Sequence, residues 1–171
     1  MTHRIPLLAL RTSAALLLAF TLTRCALFGP SESFERASDY KVAVPDGWTT
    51  TKRGEADRAF RTVGKGVATL TSSCTRPTDA TLDQLTRHLL FGLRKMNVVE
   101  KASITVGGET GLRTRVDAAF EGKPVHLEVV VVRRGICVID FSLMNQGGLS
   151  AGDRQAFQSF VSSFQFGKGG T

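Results

Sequence analysis

An α+β fold, an antiparallel β-sheet with helices on its faces, is what this sequence predicts, and three observations predict it. Across residues 103–145 apolar and polar side chains alternate in stretches separated by glycine turns, the period of half-buried strands joined as hairpins. Leu82, Leu85, Leu89, Leu93 and Met96 recur at spacings of three and four, one face of a helix. Ala156, Phe157, Phe160, Val161 and Phe164 form a second such stripe. Hairpin strands are antiparallel, and amphipathic helices laid on a single sheet bury its apolar faces.

The N-terminus carries a different signal. Met1-Thr2-His3-Arg4 is a short basic start, and the apolar run that follows is uninterrupted only from Thr12 to Thr23. That is well short of the roughly 20 residues that cross a bilayer, and it fits the hydrophobic region of an export signal. Leu22-Thr23-Arg24-Cys25 resembles a lipobox, where signal peptidase II cuts before a cysteine that is lipidated. Arg24 stands where such sites carry a small residue. The expected division is a signal peptide over 1–24, a lipidated Cys25 with its tether over 25–38, a folded domain over 39–166 and a disordered tail over 167–171. Secretion by another cut and an uncleaved anchor are the alternatives. By resemblance to such lipoproteins, Ala26 in place of an acidic residue points to the outer membrane, facing the periplasm.

Within the domain, Tyr40–Val44 alternates and reads as a strand. Pro45-Asp46-Gly47 is turn chemistry, and Trp48 opens the next extended piece. Ala59–Val63 and Val67–Cys74 form a hairpin around Gly64-Lys65-Gly66. Thr81 with Gln84 fits a capping box for the helix that runs on to Met96. Ile104–Val106 ends in a Gly107-Gly108 turn, and a half-buried strand follows over Gly111–Glu121. A turn around Gly122-Lys123 is expected to pair Phe120 with Val125 and Val116 with Val129. A three-residue loop, Arg133-Arg134-Gly135, is expected to pair Val129 with Ile139, Leu127 with Phe141 and Val131 with Cys137. This puts Val130, Val132, Ile136 and Val138 on the outer face, under either a second helix or a partner. The helix that starts behind Ser150 or Asp153 is the candidate cover.

The formal charge is +7 at pH 7, and Arg4, Arg11 and Arg24 of the expected signal supply part of it. The remaining basic residues alternate with acids, so no block suited to nucleic acid stands out. Besides Cys25 the chain has Cys74 and Cys137, outside any Cys-x-x-Cys and without a histidine at ligand spacing. That argues against a zinc or redox site. Both cysteines share strand faces with core residues, and the reading leaves open a Cys74–Cys137 disulfide or two buried thiols.

The run Tyr40-Lys41-Val42-Ala43-Val44-Pro45-Asp46-Gly47-Trp48, the helix, the strand meander and the closing Phe160-Val161-Ser162-Ser163-Phe164 resemble PsbP-like and DcrB-like domains over residues 39–166. The resemblance implies an α/β/α sandwich that binds proteins without catalysis, often as a bacterial lipoprotein. It carries over no binding residues.

No Gly-x-Ser-x-Gly, phosphate-binding loop or His-Glu-x-x-His occurs. Of three histidines, His3 lies in the signal, His88 on the helix and His126 on the outer sheet face, where Asp117 opposite Glu128 completes a polar trio. The trio reads as a solvated patch or as a weak metal or acid–base site. Arg113 and Arg115 read as strand-face charges or as an anion contact, and Trp48 as a lid on the core or the wall of a ligand groove. The expected function is a non-enzymatic, lipid-anchored cell-envelope module that binds another envelope protein. It has no cofactor, metal or catalytic residue, and it meets the membrane through the lipid on Cys25. A small-molecule or lipid carrier with a pocket near Trp48 is the alternative. An enzyme built on His126, Asp117 and Glu128 is the third.

Overall fold

The computed structural model describes residues 35–37, 39–74 and 79–167. The chain divides into two units, 1–32 and 33–171, and the described residues belong to the second. The expected signal peptide, Cys25, most of the tether and the tail from 168 onward lie outside the described residues.

In chain order the elements are β1 (Tyr40–Lys41), β2 (Thr49–Thr50), β3 (Arg58–Arg61), β4 (Val67–Ser73), α1 (Leu82–Leu89), β5 (Arg94–Val106), β6 (Glu109–Phe120), β7 (Lys123–Arg134), β8 (Cys137–Asn145), α2 (Ala151–Ser162) and β9 (Gln165–Phe166). Seven strands form one antiparallel sheet in the order β2-β3-β4-β8-β7-β6-β5, and β1 pairs with β9 separately. Each face of the sheet packs against one helix, giving the α+β sandwich that the patterning predicts.

Two tight turns decide which residues meet which helix. Between β6 and β7, Glu121 and Gly122 both have positive φ, 49° and 78°, the signature of a two-residue type I′ turn. Val116 therefore lies opposite Leu127, and Phe120 opposite Lys123. The expected pairing is displaced by two residues, and an even displacement leaves every side chain on its expected face. Between β7 and β8 the loop is Gly135-Ile136, with Gly135 at φ 57° in first position. Glycine there suits a type II′ turn. Arg134 then lies opposite Cys137, Val132 opposite Ile139 and Val130 opposite Phe141. The expected pairs Val129–Ile139, Leu127–Phe141 and Val131–Cys137 are displaced by three residues, and an odd displacement reverses the faces.

Val130 and Val132 are therefore covered by the second helix, as expected, and it is Ile139 and Phe141 of β8 that change to their side. The two valines are buried with Leu70, Ile139, Phe141 and Leu143 under Phe157, Phe160 and Phe164 at α2. Val116, Val125, Leu127 and Val129 form the other core with Leu90, just beyond the end of α1. β7 is thus buried on both faces. At these burials each valine contributes about 1.5–3 kcal/mol of hydrophobic stabilisation before the entropy of ordering it.

Two expected elements are shorter. The extended run Tyr40–Val44 is ladder-paired only at Tyr40–Lys41. α1 has the Thr81–Gln84 capping box but stops at Leu89 instead of Met96. Past Leu89 the apolar spacing continues by coincidence: Leu90 and Leu93 pack into the α1-side core, Gly92 breaks the helix, and Met96 belongs to β5. Cys74 and Cys137, one step beyond the Ser73–Val138 pair, are joined by a disulfide.

The start of α2 is tied to the β3–β4 hairpin. Ser150 caps the helix by accepting from the Asp153 amide at 3.0 Å, and its hydroxyl donates to Asp153 Oδ2 at 2.7 Å. Asp153 Oδ1 also accepts the Gly64 amide at 3.2 Å. Burial pushes the Asp153 carboxyl up, but hydrogen bonds from Ser150, Thr62 and Gly64 outweigh it and hold the group below the usual range. A Cβ at residue 64 would stand 2.0 Å from Asp153 Oδ2. Gly64→Ala should therefore destabilise the domain by about 1–3 kcal/mol in urea unfolding. A loss below about 0.5 kcal/mol would mean that Asp153 swings aside freely.

Asp140, on the α1 face of β8 between Val131 and Thr71, is pushed up to about 7 by burial. The folded state keeps this proton up to about pH 7, whereas the unfolded chain releases it near pH 4. Stability from this group is present below pH 4 and falls as pH rises toward 7. Between pH 5 and 7.5 the melting temperature should fall, and Asp140→Asn should flatten that slope. An unchanged slope in the variant would show that Asp140 ionises normally.

Candidate functional site

The α2 face of the sheet is apolar at its centre and polar toward β5. The register sets Arg115 between Glu100 of β5 and Glu128 of β7, and Asp117 between Asn97 and His126. Arg113 and Arg115 each donate from Nη2 to the Glu100 carboxylate, one to each oxygen. Each arginine thus shares an acid at the sheet edge, while its Nε has no hydrogen-bond partner among the described residues.

Glu128 is left over. It is fully buried at 0% exposure, and neither carboxylate oxygen has a hydrogen-bond partner among the described residues. Burial raises its pKa; Arg113 and Arg115 pull it partly back, Glu100 raises it further, and Arg154 lowers it. A carboxyl in this state holds its proton to a higher pH than a surface glutamate, and in its neutral form it is a hydrogen-bond donor.

Two clefts flank the cluster. One, of about 320 Å³, is lined by Val99, Arg115, Asp117, His126, Leu149 and Arg154 among others. The other, of about 190 Å³, runs along α2 between Ile104, Arg113, Glu128, Val130, Phe157 and Val161. His126 Nδ1 lies 2.7 Å from Asp117 Oδ1. The trio of His126, Asp117 and Glu128 does not assemble as expected: His126, not Glu128, is opposite Asp117, and Glu128 opens on the other cleft. The cause is the two-residue turn after β6. Among the described residues no serine, threonine or cysteine lines the His126 cleft, so none of them stands beside the His–Asp pair as a nucleophile. Among the described residues no group of three His, Cys, Asp or Glu is placed to hold a metal ion.

Trp48 is also placed differently from the groove reading. It is buried in the α2-side core, with its ring 5.9 Å from that of Phe60 and 5.3 Å from that of Phe160. It lines neither cleft, because Pro45-Asp46-Gly47 turns the chain inward and the indole fills the gap between β3 and α2. The indole itself packs against aromatic rings, and the nearby cleft of about 590 Å³ is lined by Tyr40, Thr50 and Phe60 among others, without Trp48. Cys25 lies outside the described residues.

Sequence patterning places only the end of β5, Ile104–Val106, and misses its first part. The strand is thirteen residues long, is paired to β6 on one side and forms the sheet edge on the other. Two register shifts interrupt its first half, between Arg94 and Asn97 and between Val98 and Glu100. Bulges of this kind break strict alternation, and here both Val98 and Val99 are about half exposed, at 52% and 50%. The signal in the sequence was the β-branched pair Val98-Val99 following Gly92, where a helix reading has no reason to continue. From Lys101 to Val106 the pairing to β6 is regular.

No family model and no curated protein matches the sequence. Solved structures match the fold. LpqN of Mycobacterium tuberculosis, involved in cell envelope biogenesis, is 12% identical, with a TM-score of 0.57 over 81% of this chain and 87% of that one. Cyanobacterial PsbP from Synechocystis is 16% identical, with a TM-score of 0.52 over 81% of this chain and 98% of that one. A protein from Bacteroides thetaiotaomicron is 13% identical with a TM-score of 0.57, and 48% of its length is covered. The domain has the PsbP-like fold. No helix among the described residues is long and apolar enough to cross a membrane.

The two glutamates of the cluster should respond oppositely to substitution. Glu100→Gln removes the acceptor of two partly buried arginines and should cost about 1–2 kcal/mol. Glu128→Gln removes a buried carboxyl that lacks a partner and should raise the melting temperature at pH 8. Because the folded-state pKa is raised, that gain should shrink toward pH 5, where the wild-type group increasingly carries its proton. Thermal melts of both variants at the two pH values check this; a Glu128→Gln loss at pH 8 contradicts it.

Proposed function

We propose that the protein is a non-enzymatic, lipid-anchored module of the cell envelope that binds an extended segment of another envelope protein along the open edge of β5. The observation that carries this reading is the edge itself. β5 is much longer than the opposite edge strand, β2, which has two residues. Among the described residues, its outward backbone N–H and C=O groups make no backbone hydrogen bond to another element. Such groups are a template for one more strand. Lys95 and the two bulges are devices that discourage indiscriminate pairing. They concentrate in the first half of the strand and leave Lys101–Val106 as the regular stretch a partner strand would use.

The envelope setting rests on the basic start, the short apolar run and Cys25, and it agrees with the role in cell envelope biogenesis given for LpqN. The non-enzymatic reading is supported by a His126–Asp117 pair without a nucleophile. A second reading has one observation in its favour. Glu128, unpartnered at the wall of the α2 cleft, suits a small apolar ligand with a hydrogen-bond acceptor or donor, which moves the carrier hypothesis away from Trp48.

The test is a photo-crosslinking residue at Ser103, exposed on the β5 edge, in intact cells, with the same residue at Thr50 on β2 as control. A discrete protein adduct from position 103 alone is expected. Adducts of the same size from both positions, or none from 103 while a small molecule copurifies with the protein, would replace the protein-binding reading with the carrier.

A further inference from the structure

A separate surface lies at the end of the sheet where α1 leads into β5 and β6 turns into β7. Arg94 is ladder-paired with Ala119, and Phe120 with Lys123. The Phe91-Gly92 connection and the Glu121-Gly122 turn are therefore neighbours at one end of the fold. Phe91 is 92% exposed, the most exposed large hydrophobic side chain described. Its position is held. The amides of Leu90, Phe91 and Leu93 donate to the carbonyls of Thr86, His88 and Leu90 at 3.0, 3.1 and 3.3 Å. Leu90 is buried and Leu93 packs beside it in the α1-side core. With the residues on both sides of it anchored, Phe91 is the one side chain of the turn that projects. Leu89, Met96 and Phe120, at the same end of the fold, are each more than a third exposed.

The charges around this tip are mostly basic. Arg94, Lys95 and Lys123 are exposed and form no ion pair among the described residues, and Glu121 is the acid at the turn between Phe120 and Lys123. Elsewhere on β5 and β6 the pattern differs: Lys101 pairs with Asp83, and Arg113 and Arg115 pair with Glu100.

We propose that this end of the domain docks on an anionic lipid surface, with Phe91 inserted at the boundary of headgroups and acyl chains and Arg94, Lys95 and Lys123 on lipid phosphates. A convex apolar tip ringed by unpaired cations is suited to a bilayer. Long basic side chains lay their stems along the apolar contact and keep their charges at the headgroups, and each contributes attraction to an anionic leaflet. The cations outnumber the one acid, Glu121, by three to one, which favours an anionic leaflet over a protein patch of balanced charge. The inference rests on the envelope location proposed above and is independent of the β5 partner. The lipid on Cys25 sets how far the domain can stray from the bilayer, and the tip sets its orientation.

The test uses the full chain extracted from its own membranes and reconstituted in vesicles. In a Trp48→Phe background, tryptophan is introduced by Phe91→Trp or, as control at an exposed position between β3 and β4, by Val63→Trp. The vesicles are phosphatidylcholine with or without phosphatidylglycerol, and their acyl chains carry bromine as a quencher. With phosphatidylglycerol, Phe91→Trp emission should shift to the blue and be quenched while Val63→Trp is unaffected. Combining Arg94→Glu, Lys95→Glu and Lys123→Glu should reduce the quenching to the control level. Phe91→Trp emission that stays red and unquenched on vesicle-bound protein overturns the tip and leaves the anchor standing. A blue shift without quenching, growing with protein density, identifies a protein contact and also overturns it. Failure of the chain to associate with vesicles at all overturns both the tip and the lipid anchor, whereas the Ser103 crosslink tests the β5 partner by itself.

Discussion

The register of β7 is the constraint on which the rest of the structure depends. This strand is buried on both faces, so each side chain must be assigned to one helix or the other. The turns at its two ends make that assignment. Glu121-Gly122 sends Val125, Leu127 and Val129 toward α1. Gly135-Ile136 brings Val130 and Val132 level with Phe141 and Ile139 beneath α2. Both turns need positive φ, 78° at Gly122 and 57° at Gly135, which glycine adopts without the steric cost of a Cβ. A one-residue slip at either turn would carry apolar side chains into polar positions along the whole strand. The local chemistry of two short loops is therefore coupled to the packing of both layers.

How much of this could be read from sequence follows the same logic. The strand stretches and their turns were visible in the alternation of 103–145, and α2 in Phe157, Phe160 and Phe164. The fold class follows from those alone. The pairing between β6 and β7 was displaced by two, which is harmless to the faces. The pairing between β7 and β8 was displaced by three, which is not. Arg133-Arg134-Gly135 and Gly135-Ile136 both place a glycine in a short loop, and nothing local separates them. The tie is broken by burial, because Val130 and Val132 pack with Phe141 under α2. Glu128 lies on its expected face but beneath α2, where it is the least exposed acid among the described residues. Its place is decided by a turn seven residues away. The helix after Thr81 was extended to Met96 because Leu93 and Met96 continue the spacing of three and four, while Gly92 marks the stop.

The polar cluster shows how charge is distributed when a sheet face is only partly covered. Arg113 and Arg115 have two acids within reach of their strand positions, Glu100 at the edge and Glu128 under the helix. They bond Glu100. An ion pair at a half-exposed edge keeps part of its hydration, whereas pairing beneath α2 would require desolvating both partners. The consequence is an elevated pKa at Glu128 and a carboxyl next to an apolar cleft. This is the kind of local inconsistency that natural folds keep where a ligand or a switch uses it, and it is why the small-ligand reading remains attached to this cleft.

β5 connects the two surfaces assigned here. Its bulged first half follows directly from the Phe91-Gly92 turn, so the strand leaves the tip with its alternation broken and Met96, Val98 and Val99 turned outward. Its second half returns to regular pairing, keeps its outer backbone edge open and runs toward Val106 at the far end. A rise of about 3.3 Å per residue separates the start of β5 at Arg94 from Lys101–Val106 by roughly 23–40 Å before bulges shorten it. If the tip lies on a lipid surface, the regular edge points away from it. A soluble segment of a partner can then approach without competing with lipid. Docking at one end and pairing at the other are thus compatible uses of a single strand, and a tether that allowed the domain to tumble would give up that orientation.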